Sequence, residues 1–437
     1  MAATPSTRRD PEAGFAVADP GKAWRRGHRI PVVPAFDGYR GWAVLAVVLF
    51  HVLQISGASL TVGDSPLGIL TWGILPSSIQ VFFIISGFVI YLPTVARNGD
   101  FGRTSNFAIR RSARLFPAYY GVLLVALLLL AVLNTTPAFP FPDAGTVAAH
   151  FAVLQTPALL FVDHFNLGFG VDPPVWTLSV EIGFYVVLPF VAVAYFRHPF
   201  IGLLVAAATV VVWRELALHA DSVAHLLGTD LSADAEGRIS TFYASQFPSW
   251  VLAIATGMTG AWAYVRLRDR IEPERLARIA LRVAGASLLV LAALSYFQGR
   301  EAVTSFVQFQ GLFAHLSIYL MIATPLVLGV LMVALTLAPA RAQWPFTTPV
   351  VRWIGDVGYA FYLFHFAVIW FYSQELSLPR DGTIGAVLVW LALVVPVAFL
   401  YAYLSGRYLE APIRRWAHRF GRRAQESPTG HLAVKAG

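Results

Sequence analysis

Phe36 to His51 reads FDGYRGWAVLAVVLFH. Asp37 to Gly41 is a polar, glycine-containing cluster, Trp42 to Phe50 is an apolar run, and His51 interrupts it before Val52 and Leu53 resume. If the segment is a membrane helix, an imidazole sits near its middle. Ionisable groups are costly at that depth, so each needs a reason to be there.

Arg40 and His51 are eleven residues apart, almost three whole helical turns, so both side chains fall on one face. The rise between them is about 16 Å. With Arg40 at one membrane surface, His51 lies near the midplane. The plain alternative is that Arg40 snorkels to lipid headgroups and His51 belongs to a buried hydrogen-bond network.

The rest of the chain supports the membrane reading. Of 437 residues, 57% are hydrophobic and 13% charged, against about a quarter charged in soluble domains. There is no cysteine, which excludes disulfides, a thiol nucleophile and thiolate metal sites. No nucleic-acid motif accompanies the net charge of +8. No metal site is expected.

A bilayer core needs about 20 apolar residues per helix. Ten segments qualify, roughly 38–56, 73–95, 115–133, 176–196, 200–218, 243–264, 281–297, 318–337, 357–373 and 384–404. With the N-terminus cytoplasmic, 27 of the 32 Lys and Arg fall on inside segments, 4 (Arg214, Arg238, Arg300, Arg380) fall outside, and Arg40 stands at the first helix. That is a positive-inside pattern. It predicts an all-α, polytopic membrane helix bundle with about ten spans and both termini cytoplasmic. Residues 1–35 and 416–437 are expected to be disordered cytoplasmic segments flanking a transmembrane domain over 36–415. The loop 134–175 holds VAAHFAVLQTPALLF (Val147–Phe161); it is too short to span and broken by Pro157, so it should lie in the interface or re-enter the membrane.

Four more stretches carry polar groups. RRSARLFP (Arg110–Pro117) places Arg110, Arg111 and Arg114 at the cytoplasmic end of the third span. They read either as topology anchors or as a phosphate site, since Arg forks bind phosphate bidentately. VWTLSVEIGFY (Val175–Tyr185) sets Glu181 inside the fourth span, where a carboxyl must be neutral, paired or wet. GYAFYLFH (Gly358–His365) repeats Tyr359, Tyr362 and His365 every three residues, a polar stripe that could equally be aromatic packing. VFFIISGFVI (Val81–Ile90) contains Ser86-Gly87, a small pair that permits close helix approach.

These stretches, in this order and together with YLEAP (Tyr408–Pro412), resemble the blocks of the acyltransferase-3 family of integral membrane acyltransferases. Thr177 and Ala360 stand where that family usually has Ser. The resemblance covers residues 36 to about 415. It implies ten spans in the plasma membrane, the inner membrane for a bacterium, and O-acylation of a carbohydrate or glycosylated acceptor. It implies acyl-CoA, usually acetyl-CoA, as a donor from the cytoplasm, with no permanently bound cofactor. The extracytoplasmic hydrolase-like domain of some members is not expected here. On this reading His51 is the base, with Glu181 orienting or charge-stabilising it. Arg40, Arg110, Arg111 and Arg114 hold the donor's phosphates, and Asp37, Ser86, Trp176, Tyr362 and His365 contact substrate. Direct transfer and a transient acyl group on His51 or Ser86 both remain open. Buried His51 and Glu181 also fit a proton-coupled transporter, against which stand the absence of a repeat and the arginines at the cytoplasmic mouth.

Overall fold

A computed structural model of the chain describes residues 31–58, 66–133, 141–161, 171–305 and 322–422. The described residues form an all-α, polytopic bundle without strands. Most of the expected 1–35 and 416–437 segments lie outside them. Residues 416–422 are described, and they continue a helix instead of a disordered tail.

Helices stand at all ten expected places. They are α1 (Pro34–Ile55), α2 (Pro66–Ile74) joined by one 3₁₀ turn to α3 (Ser78–Ala96), and α4 (Thr104–Leu133). After the short α5 (Ala144–Phe151) and α6 (Gln155–Ala158) come α7 (Trp176–Arg197) and α8 (Pro199–Leu218). Then follow α9 (Ala220–Leu226), α10 (Ala233–Phe242), α11 (Val251–Arg270), α12 (Pro273–Ser305) and α13 (Ala323–Leu337). The last are α14 (Ala340–Thr347), α15 (Pro349–Glu375), α16 (Ile384–Leu404) and, past a π-helical turn at Ser405–Glu410, α17 (Ala411–Arg422).

Eight helices among the described residues are long and apolar enough to cross a membrane, or nine if the bent pair α13–α14 is one span. The shortfall from ten has local causes. α11 carries Arg266, Arg268, Asp269 and Arg270 in its last turns, which lowers its hydropathy. The 15 residues of α13 rise only about 22 Å, and the start of the expected 318–337 span lies outside the described residues. A 112° bend then turns the chain into α14.

Sequence signals set the helix ends. α7 stops at Arg197 and α8 starts with Pro199, with His198 as a one-residue joint; proline suits a first helical position and disfavours helix in the residue before it. Thr348 caps α15 by accepting from Val351 N (3.4 Å), and Thr383 caps α16 by accepting from Ala386 N (3.1 Å).

Large apolar side chains such as Phe190 (83% exposed) and Leu289 (76%) point outward, as they would toward lipid. Inside, the buried residues form two main bodies. One joins the start of α1 with α3, α7, α8, α11 and α13; the other joins the rest of α1 with α4, α15 and α16. Several helix crossings rest on bare backbone, and two of them frame the site. A Cβ on Gly87 would stand 2.0 Å from the Ile254 carbonyl oxygen, and one on Gly257 2.0 Å from that of Ile84. Likewise a Cβ on Gly41 would meet the Val351 oxygen at 2.3 Å, and one on Gly355 the Asp37 oxygen at 2.0 Å. The first crossing locks α3 to α11, as the Ser86-Gly87 pair led one to expect. The second locks α1 to α15, which brings His51 and His365 together.

Candidate active site

His51 and His365 are hydrogen-bonded, with His51 Nδ1 2.9 Å from His365 Nε2. His365 Nδ1 lies 2.5 Å from the carbonyl oxygen of Tyr362. A carbonyl can only accept, so His365 Nδ1 must carry a proton. A neutral His365 then has a bare Nε2, and His51 Nδ1 must be the donor to it. A neutral His51 is therefore left with an unprotonated Nε2. That nitrogen makes no hydrogen bond among the described residues, and the ring is only partly buried. One backbone carbonyl thus sets the tautomer of both rings and leaves one lone pair available for proton transfer.

Next to the pair, between the two buried bodies, is a cavity of about 200 Å³. Arg40, Arg111 and Arg114 line it with Asp37, Glu181 and Asp356; Ser86, Thr177, Tyr359 and Tyr362 complete its polar wall. Arg40 is engaged by Asp37 (3.6 Å), which also lies 3.9 Å from Arg352. Tyr185 donates a short hydrogen bond to Glu181 Oε1. The Arg111 guanidinium lies over the Tyr185 ring at 5.9 Å, and its Nε has no hydrogen-bond partner. Arg114 makes no salt bridge or hydrogen bond among the described residues. Tyr362, part of the cavity wall, sits one turn before His365 on α15, with its ring centroid 5.8 Å from that of His365.

The predicted site residues therefore divide. Arg40, Arg111, Arg114, Asp37, Ser86, Glu181 and Tyr362 meet at the cavity, and His51 and His365 meet beyond it. Arg110 is exposed and does not line the cavity. Trp176 packs against Trp250, with centroids 5.5 Å apart, and is not part of the cavity wall. The carboxylate expected behind His51 is not there: the partner of His51 is His365, and the partner of Glu181 is Tyr185. A buried imidazole can be oriented by a neutral ring without bringing a second charge into the membrane.

A family model described as an acyltransferase domain, acyltransferase-3, matches residues 33–404. The chain belongs to the acyltransferase-3 family. It is 26% identical over 400 residues to the peptidoglycan O-acetyltransferase OatA of Listeria monocytogenes, a match covering 88% of this chain and 56% of that protein. It is 24% identical over 402 residues to YrhL of Bacillus subtilis, whose name carries the same activity provisionally; the match covers 90% of this chain and 56% of that one. The chain thus spans a little more than half the length of these relatives. No solved structure matches it. Family and helices together make it a multi-pass protein of the plasma membrane, and the relatives are bacterial.

Reading this acyltransferase-3 chain from sequence missed Asp356, Tyr359 and Thr177 as cavity residues. The signal for two of them was present. The three-residue stripe of Tyr359, Tyr362 and His365 extends one step back to Asp356, and all but His365 line the cavity.

Proposed function

We propose that the protein moves an acyl group, in the simplest case acetyl, from cytoplasmic acyl-CoA to a hydroxyl of a carbohydrate acceptor. The family supports acyl transfer. The names of the Listeria and Bacillus relatives point to peptidoglycan as the kind of acceptor. A proton-coupled transporter loses ground to the family match.

The observation that carries the donor assignment is Arg114, a guanidinium lining the cavity with neither ion pair nor hydrogen bond among the described residues. The Arg114 side chain is partly buried, and an anionic ligand in the cavity can take charge-assisted hydrogen bonds from it. Donor phosphates at Arg40, Arg111 and Arg114 leave the nucleotide at the cytoplasmic mouth. The pantetheine arm enters the cavity and covers the roughly 16 Å from Arg40 to His51.

The chemistry needs one base. His51 Nε2 takes the proton of the acceptor hydroxyl while that oxygen bonds to the thioester carbonyl carbon. The C–S bond then breaks, and the thiolate recovers the proton from Nε2, so CoA leaves as the free thiol. His51 Nδ1–H stays bonded to His365 throughout, which holds the ring in place.

Arg114→Ala should raise the KM for acetyl-CoA about tenfold or more, the effect of losing one charge-assisted hydrogen bond of roughly 1.5–3 kcal/mol. Its kcat should change far less. Free thiol release in detergent, followed across donor concentrations, reads both constants. An unchanged donor KM would remove the arginines from donor binding.

A further inference from the structure

A second polar cluster lies where α4, the start of α7 and the α5–α6 hairpin meet, outside the arginine-lined cavity. The α5–α6 hairpin is fastened there from both sides. Tyr119 and Tyr120 of α4 donate to the carbonyls of His150 (2.6 Å) and Phe151 (2.9 Å). Gln246 Nε2 donates to the carbonyl of Thr156 (2.9 Å). The side chains of His150, Gln155, Thr156 and Asp172 beneath these staples are all 0% exposed.

Those side chains are not satisfied. Among the described residues, both oxygens of Asp172, both amide atoms of Gln155, His150 Nε2 and Thr156 Oγ1 have no hydrogen-bond partner. Buried polar atoms without partners are few in native proteins, and each calls for an explanation. Helix capping does not provide one: the α5 cap is Asp143, and His150 Nδ1 already has its acceptor in the Thr146 carbonyl at 2.9 Å.

The cluster adjoins the histidine pair. Pro174, two residues after Asp172, accepts from the Tyr362 hydroxyl at 3.2 Å. Tyr362 is the residue whose carbonyl fixes His365. Burial pushes the Asp172 carboxyl well above the usual carboxylate range, and in its protonated form it donates one hydrogen bond and accepts others. The set therefore mixes donors and acceptors and carries no positive charge. An acyl chain would leave it unsatisfied, and an anion would meet mostly lone pairs. Sugar hydroxyls, each both donor and acceptor, match it.

We infer that Asp172, Gln155 and His150 form a subsite for a polyhydroxylated ligand of the sugar class, close to Tyr362 and outside the arginine-lined cavity. Naming that ligand the acceptor rests on the acyl-transfer reading; the binding site itself does not. Donor and acceptor then occupy separate sites near one base, the donor among the arginines and the acceptor outside that cavity.

The test is equilibrium binding without any acyl donor, using the whole chain in detergent. An N-acetylglucosamine tetrasaccharide and maltotetraose serve as probes. Wild type should bind at least one of them. Asp172→Leu should weaken that binding about tenfold or more, while Asp172→Asn, which keeps the shape and both hydrogen-bonding roles, should stay within about threefold. Gln155→Met gives an independent loss. In the unliganded protein Asp172→Leu should melt no lower than wild type, because it removes unpartnered atoms and leaves none behind. Three results overturn the inference: no probe bound by wild type, equal binding by Asp172→Leu, or a clear drop in its melting temperature, which would mark Asp172 as part of a structural network. Sugar binding that survives alongside a complete lack of acyl transfer would sink the function proposed above and leave the subsite standing.

Discussion

Replacing His51 with alanine is expected to lower kcat for acyl transfer by ~10²–10⁴-fold, the usual contribution of a positioned general base. The donor KM should stay within about twofold, because Arg114 lines the cavity and His51 does not, so binding there does not use the imidazole. His365 acts through His51, so its replacement separates positioning from chemistry. His365→Ala removes the acceptor that fixes the His51 tautomer and should cost about ten- to a hundredfold. His365→Gln offers an amide oxygen to His51 Nδ1–H and should recover part of that loss, whereas His51→Gln has no basic nitrogen and should recover nothing. A purely structural role for His365 predicts equal losses for its alanine and glutamine variants, with lowered melting temperatures in both. Initial rates of free thiol release in the presence of acceptor give the comparison. Activity of His51→Ala within tenfold of wild type would displace His51 as the base.

The second large effect is on folding. Gly87→Val should abolish recovery of folded protein from membranes. The added Cβ alone would stand 2.0 Å from the backbone oxygen of Ile254, and a backbone atom cannot move away as a side chain can. The helices would have to part along the α3–α11 contact, which holds buried Ile84, Phe88, Ile254 and Met258 together. That exceeds ordinary overpacking of ~1–3 kcal/mol. Gly285→Val is the control, since no atom lies within 4 Å of a Cβ placed there. Size-exclusion profiles of the two variants in detergent make the test, and a monodisperse Gly87→Val protein would disprove the close crossing.

Much of this molecule is written in local sequence. Apolar run length and the placement of Lys and Arg depend on each segment alone, so the helices stood where those patterns placed them. The eleven-residue spacing of Arg40 and His51 likewise put both on one face of α1, and Arg111 and Arg114 on one face of α4. The positions of Arg110 and Trp176 were not legible, because which face of a helix meets a cavity depends on its neighbours.

The partner of His51 is a different kind of fact. His51 and His365 are 314 residues apart, and no pattern within either helix says that they touch. Backbone contact between α1 and α15 at Gly41 and Gly355 sets their register, and one helical turn of slippage, about 5.4 Å, would separate the rings. The same holds for Asp172, His150 and Gln155, unremarkable in a loop until the fold buries them with polar atoms left unpartnered among the described residues. Local sequence sets helix formation, span length and which residues share a helix face, because hydrophobicity and helical period act over a few turns. Packing between distant helices chooses which faces meet, and with that choice it assigns the base, its partner and the two approaches to it.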